Sequence, residues 1–332
     1  MTALKKQVHH KTFFIINPSA GGKNITAHWN NVLLPLIKKQ FRNSDHTFTK
    51  KSGQASVLTT AALKQGYQRI ICVGGDGTLN EVVNGFFENN KLINPRAALG
   101  IIPSGSGGDF VRSLGIKHDI IKALKTIKKD RTNKIDVGHV LFKNKKLKPR
   151  FFVNIAEIGL GAIIMEHVNR KNRKLPALYR YLTGTLQGFA SYNNIPVTIS
   201  LPHRPVDPSN HRTIEPLIPR PQKINLTNLI IANGQYFGRG MRPAPKAKLD
   251  DGLFDVIVIK DLNWLKFFTH FPEIYKQRKK ISSQFFQTFQ TAKITVKPQT
   301  RKTTLLSELD GENHGAGEMT FEILPQALKI IF

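Results

Sequence analysis

Apolar positions along this chain follow two rhythms, and the change between them divides its 332 residues. In the first third, short apolar runs alternate with stretches whose apolar residues recur every three or four positions. Residues 13–17, 46–50, 69–73 and 98–102 read as strands, and 28–39, 55–65, 78–87 and 120–128 as helices, the first interrupted or capped near Pro35. Strands alternating with helices predict a doubly wound parallel sheet. Beyond about Asp136 the strands crowd together, at 136–143, 150–155, 197–201, 222–233, 253–259, 292–296 and 303–308, with helices only at 176–192 and 264–279. That density predicts an antiparallel β-rich domain. Six prolines between 201 and 222 predict an extended loop there, and the apolar 327–332 is expected to tuck back against a sheet. The expected division is therefore an α/β domain at 1–135, a β-sandwich at 136–320, and a terminal segment, 321–332, packing on the first domain.

Composition narrows the class. Apolar residues make up 40% of the chain, enough for packed cores, and no run is long enough to span a bilayer or resembles a signal peptide. The single Cys72 excludes an intramolecular disulfide and any multi-cysteine metal site, and it fits a reducing, cytoplasmic location. The charge adds more: 50 Lys and Arg against 22 Asp and Glu leave a net +28, which favours polyanionic partners. Nucleic acid, anionic lipid and nucleotide phosphate all qualify. Nucleic acid lacks support beyond charge, since no RNA-binding signature or aromatic platform interleaves with the basic residues. The basic runs 170–174 and 276–280 read as solvated faces or as docking sites for anionic lipid, and the aromatic stretch 264–271 as an interfacial or a buried helix face.

The chemistry concentrates where apolar strands meet glycines. At 70–85, IICVGGDGTLNEVVNG, a strand runs directly into Gly74, Gly75, Asp76 and Gly77, and a helix begins at once. Glycines let the backbone approach a phosphate, and the helix start offers unpaired N–H groups and a positive dipole end. Asp76 would repel a phosphate, so it is expected to act through a nucleotide-bound Mg²⁺. Two further loops follow strands in the same way: 17–22, NPSAGG, and 101–110, IIPSGSGGDF. Loops at the carboxyl ends of parallel strands are where open α/β sheets bind ligands. No P-loop spacing occurs, and no dinucleotide fingerprint is placed where a dinucleotide-binding fold needs it. Downstream, the Asp-Gly pairs in KLDDG (248–252) and LDGE (309–312) predict hairpin turns carrying Asp251 and Glu312. His314, two residues further on, is expected to be solvated.

In these motifs, with IDVG at 135–138, the chain resembles the diacylglycerol kinase catalytic-domain family, which includes sphingosine and ceramide kinases. The resemblance runs through nearly the whole chain in the family's order. It implies an α/β domain followed by a β-sandwich, with the nucleotide cleft between them, and an ATP-dependent lipid kinase requiring Mg²⁺. Transferred by motif, Asn17, Pro18, Ser19, Ala20, Gly21, Thr49, Gly74, Gly75, Asp76, Gly77, Thr78, Leu79, Asn80, Glu81 and Ser106 would contact the nucleotide. Glu312 would be the general base, with Asp76, Asp109 and Asp136 as an acidic network. Asp251 and the main-chain oxygens of Lys248 and Leu253 would hold a structural Mg²⁺. The expected partners are ATP and a lipid at an anionic membrane surface, with no specific nucleic acid; a homodimer stays open. Gly108 stands where the family usually carries Asn, which keeps an inactive nucleotide-binding regulator of the same fold as an alternative. An NAD kinase-like enzyme, sharing GGDG, is the other.

Overall fold

The computed structural model describes residues 10–22, 26–41, 43–105, 107–170, 177–202, 221–262, 285–300 and 303–332. Contacts divide the chain into two units, Met1–Lys134 with Leu328–Phe332, and Ile135–Ala327. No helix among the described residues is long and apolar enough to cross a membrane.

The first unit is built on β1 (Thr12–Ile16), β2 (Ser44–Phe48), β3 (Arg69–Gly74) and β4 (Ala98–Pro103). All pair in parallel in the order β4-β3-β1-β2. The last residues of the chain close the other edge, with Lys329, Ile330 and Ile331 parallel to Ala98, Leu99 and Gly100. Both faces of the inner strands are covered, so β1, β3 and β4 are largely apolar rather than alternating, and every residue of β3 is buried, whereas the edge strand β2 is polar and half-exposed. One face packs Phe14, Ile16, Ile71 and Val73 against Trp29, Leu33, Ile37, Leu124 and Ile127. Those partners come from the helical stretch that ends in α1 (Leu34–Gln40) and from α5 (Ile120–Lys129). Pro35 lies in the first turn of α1, where its missing N–H costs nothing. The helices α2 (Gln54–Lys64) and α3 (Asp76–Gly85) pack on each other so closely that a Cβ on Gly85 would lie 2.5 Å from the Ser56 carbonyl oxygen. A short helix, α4 (Asp109–Ser113), follows the second glycine-rich loop.

The second unit is mostly antiparallel. The chain enters it along β5 (Thr132–Phe142) and continues through β6 (Arg150–Phe152), β7 (Ile155–Gly159), α6 (Leu160–Arg170), α7 (Ala177–Ser191), β8 (Ile195–Ser200) and β9 (Gln222–Ala232). It finishes with β10 (Phe254–Lys260), β11 (Phe286–Thr291), β12 (Lys293–Pro298), β13 (Leu306–Leu309), β14 (Glu312–Ala316) and β15 (Met319–Ile331). The strand β9 is central. It pairs with β10 on one edge, and with β8 and then β7 on the other. One core gathers Phe152, Ile158, Leu229, Ile231, Phe254 and Phe321, the filling of the sandwich. A second gathers Ile155, Ile230, Ile257 and Ile259, with Ile164 and Phe189 of the helices packed on it. Two buried faces explain the unbroken apolar runs of β9 and β10.

Several expectations need correction. The expected strand 150–155 breaks after Phe152, and its second half runs on to Gly159 as β7. Neither α6 nor β11 was expected. The proline-rich stretch, as 203–220, and the helix expected at 264–279 lie outside the described residues.

Candidate active site

In the first unit, three loops leave the carboxyl ends of the adjacent strands β1, β3 and β4, and they touch through backbone. A Cβ on Gly105 would lie 2.4 Å from Gly75 Cα, and one on Gly21, at φ +70°, would lie 2.7 Å from the Ser104 carbonyl oxygen. Only glycine fits such contacts. Side chains then fasten the loops. Asn17 donates through Nδ2 to Thr78 Oγ1 at 2.8 Å and accepts the Ser19 amide at 3.0 Å. Asp76 accepts the amides of Gly108 (2.9 Å) and Asp109 (3.4 Å) on one oxygen, tying the GGDG turn to the second loop at the start of α4. Its other oxygen has no hydrogen bond among the described residues.

These contacts distribute the expected nucleotide residues unevenly. Pro18, Ser19, Ala20 and Gly21 form the first loop, and Gly74, Gly75, Asp76, Gly77 and Thr78 the turn into α3, whose first amides have no helical partners. Leu79 and Asn80 are each 3% exposed and the Leu79 amide donates to the Gly75 carbonyl at 3.0 Å, so both serve the packing of α3. Thr49 follows β2, its amide bonded to the Ile16 carbonyl at 2.8 Å. Glu81 is committed elsewhere: its carboxylate accepts the amides of Gly53 (2.7 Å) and Ala55 (3.0 Å) and the Ser52 hydroxyl (3.2 Å), capping α2. Asp109 is buried and accepts from Arg112 at 2.8 Å. Ser106 lies outside the described residues. His118, which the motifs did not single out, donates from Nε2 to the Gly105 carbonyl at 2.8 Å. Its ring also crowds Gly108 (φ +66°), where a Cβ would meet His118 Cδ2 at 3.2 Å.

In the second unit the organising groups are carboxylates. Asp136 is fully buried and accepts the amides of Gly252 (2.6 Å) and Gln326 (2.7 Å), while its own amide donates to the Leu249 carbonyl at 2.6 Å. It is a clamp on the 248–253 loop; burial raises its pKa, and those amides oppose the rise. In the loop itself, Asp251 accepts the Leu253 amide at 3.1 Å. Burial pushes the Asp251 carboxyl up, Asp255 and Asp136 push the same way, and Lys248 opposes them. An oxygen donor crowded by other acids is a carboxylate that gains from a nearby divalent cation. The residues therefore fit the Mg²⁺ role, although among the described residues no three His, Cys, Asp or Glu side chains gather as a metal set.

The LDGE motif is a two-residue hairpin turn. Asp310 (φ 49°) and Gly311 (φ 93°) both have positive φ, and Leu309 pairs with Glu312 across it. Asp310 holds it in place by accepting three amides, Val153 (3.0 Å), Asn154 (3.0 Å) and Ile155 (3.1 Å), which is why the strand breaks there. Glu312 begins β14 and is half-buried. His314 is not solvated as expected: its Nε2 is buried, and burial with nearby Arg150 pushes the ring down to about 4.

Sequence comparison matches 11–140 to the diacylglycerol kinase catalytic domain and 154–332 to the YegS C-terminal NAD kinase beta sandwich-like domain. A diacylglycerol kinase of Staphylococcus aureus (strain MRSA252) is 30% identical over 75% of this chain and 70% of its own length. The chain belongs to the diacylglycerol kinase family. A Staphylococcus carnosus diacylglycerol kinase is 29% identical over 75% of this chain and 72% of its own. A solved Bacillus anthracis str. Sterne structure shares the fold, with TM-score 0.73 and 24% identity over 98% of both chains. For a member of this family, the residues that sequence missed are the ones that hold its motifs. Asp310 lies inside LDGE, with nothing in its spacing to mark it as a ligand of distant amides. Neither Glu157 nor Glu308 lies in any recognised motif.

Proposed function

We propose that this member of the family transfers the γ-phosphate of ATP to a hydroxyl of a membrane lipid, with diacylglycerol the first acceptor to test. The observation that carries this reading is the backbone convergence of the three glycine-rich loops. It brings three loops together at the start of α3, whose first amides have no helical partners, the arrangement that receives a polyphosphate. In the reaction the lipid hydroxyl oxygen bonds to the γ-phosphorus, the bond to the β–γ bridging oxygen breaks, and ADP departs. Glu312 takes the hydroxyl proton. Asn17 and Asp76 hold the loops in register, Asp109 and Asp136 set the second loop and the 248–253 loop, and Glu81 keeps α2 in place. Mg²⁺, when bound, offsets phosphate charge; Asp251 with the main-chain oxygens of Lys248 and Leu253 would hold a structural ion.

The membrane part rests on α7. Gly184 and Gly188 turn one face of this helix onto Val168 and Ile164 of α6. The opposite face carries Tyr179, Leu182 and Leu186, which are 53%, 57% and 64% exposed. An exposed apolar stripe on a chain of net +28 suits an anionic bilayer surface, where each basic group adds about 1 kcal/mol. The test is transfer of label from γ-labelled ATP, with Mg²⁺, to vesicles holding diacylglycerol, monoacylglycerol, phosphatidylglycerol, ceramide, sphingosine or a polyprenol. A labelled lipid made by wild type and not by Glu312→Gln is the expected result. No label on any lipid, with ATP still bound, would replace this reading with a nucleotide-binding regulator.

A further inference from the structure

We propose that Glu157 and Glu308 share a single proton, and that the shared proton holds the turn that presents Glu312. The two face each other across the β7–β13 pairing and are 3% and 4% exposed. Residues directly opposite across an antiparallel pair have Cβ atoms about 5 Å apart, and two buried carboxylates that close with no cation between them repel, so one of them carries the proton. The remaining partners fix the pair in place. Asn228 donates to Glu157 at 2.8 Å while accepting the Gly161 amide at 3.0 Å, and the Gly311 amide donates to Glu308. Glu308 thereby grips the residue immediately before Glu312, and a Cβ on Gly161 would lie 2.4 Å from Glu157 Oε1, so helix α6 is seated on the pair.

No cation offsets them: neither forms an ion pair among the described residues. The other charged neighbours on the β13–β14 hairpin, Asp310 and Glu312, are acids that add to the repulsion. On α6 the titratable groups Glu166, His167 and Arg170 lie towards its far end, Arg170 paired with Glu166 and His167 bonded to Ser191. The ring of His314 on β14 is held neutral by its low pKa. Burial pushes both carboxyls up, Glu157 to about 7. Because the folded-state pKa lies above the unfolded one, the pair's contribution to stability is complete below the ordinary carboxylate range. It is lost as pH rises through the raised pKa of the carboxyl that keeps the proton.

Glu308→Gln is the informative change: the amide oxygen can still accept from Gly311, and its NH₂ can donate to an ionised Glu157. Infrared spectra of the wild-type chain at pH of about 6 should show the C=O band of a buried protonated carboxyl, and Glu308→Gln should lack it. Between pH of about 6 and 9 the wild-type melting temperature should fall, and Glu308→Gln and Glu157→Gln should flatten that fall. Both measurements work without substrate, so they stand or fail separately from the kinase reading on which the third rests. In that third, wild-type turnover should drop about tenfold per pH unit above the transition, and Glu308→Gln should remove that alkaline limb. Absence of the protonated band in wild type, or a melting profile with the same slope in both variants, overturns the proposal.

Discussion

In the α/β unit, three motif loops meet with almost nothing between them but backbone. In the β-rich unit, two motif turns are fastened to the strands beside them by buried carboxylates. A single carbon added to Gly105 would collide with the Gly75 backbone. Asp310 and Asp136, by contrast, reach across the fold to gather three and two amides. The first construction is set by what is missing from the side chain, the second by what the side chain accepts. They should therefore fail differently when mutated.

The largest effect is expected at Asp310. Alanine there strands three buried amides at about 1–3 kcal/mol each, so Asp310→Ala should cost about 3–5 kcal/mol in urea unfolding. Asparagine, keeping one acceptor oxygen, should recover part of it. A loss below about 1 kcal/mol would mean that water or other groups satisfy those amides. Next comes Gly105→Ala, an overpacking change of about 1–3 kcal/mol. It should abolish ATP binding by calorimetry, whereas Gly107→Ala, whose new Cβ would press at 2.6 Å on the Asp76 side chain rather than on backbone, should weaken it less. Glu81→Ala removes the cap of α2 and should cost about 1 kcal/mol while ATP affinity holds. A large affinity loss without a stability loss would return Glu81 to direct nucleotide contact. Smallest is Gly108→Asn, since Asn tolerates the left-handed backbone. With His118 yielding a few tenths of an ångström, the melting midpoint should shift by no more than about 0.5 kcal/mol equivalent.

The same contrast explains what was legible in the sequence. Apolar strands running into glycine-rich turns are local signals, and β1, β3, β4 and the loops after them lie within a residue or so of where pattern places them. The fold class and the family followed from motifs of this kind. The β-rich unit depends on partners far apart in sequence. The break at Val153 and Asn154 is caused by Asp310, more than 150 residues away by the separations of 155–157 in those bonds, and no window of sequence contains both. Strand β11 was missed because FQTFQT alternates only weakly and gains its place by pairing with β10. Helix α6 begins directly at the end of β7, turning on Gly159 alone (φ 104°) with no loop between them to announce it. Glu81 and Asp136 were legible as members of motifs, but not as a helix cap and a loop clamp. Those tasks depend on which distant amides the fold brings near.

Nucleotide binding by the glycine loops and proton removal by Glu312 are separated by one paired measurement. ATP binding and label transfer to diacylglycerol vesicles would be followed side by side for wild type, Glu312→Gln and Gly105→Ala. Glu312→Gln should bind ATP as wild type does and transfer at least about 100-fold more slowly, while Gly105→Ala should lose both. Transfer at the wild-type rate by Glu312→Gln, or wild-type ATP binding by Gly105→Ala, would contradict that division of roles.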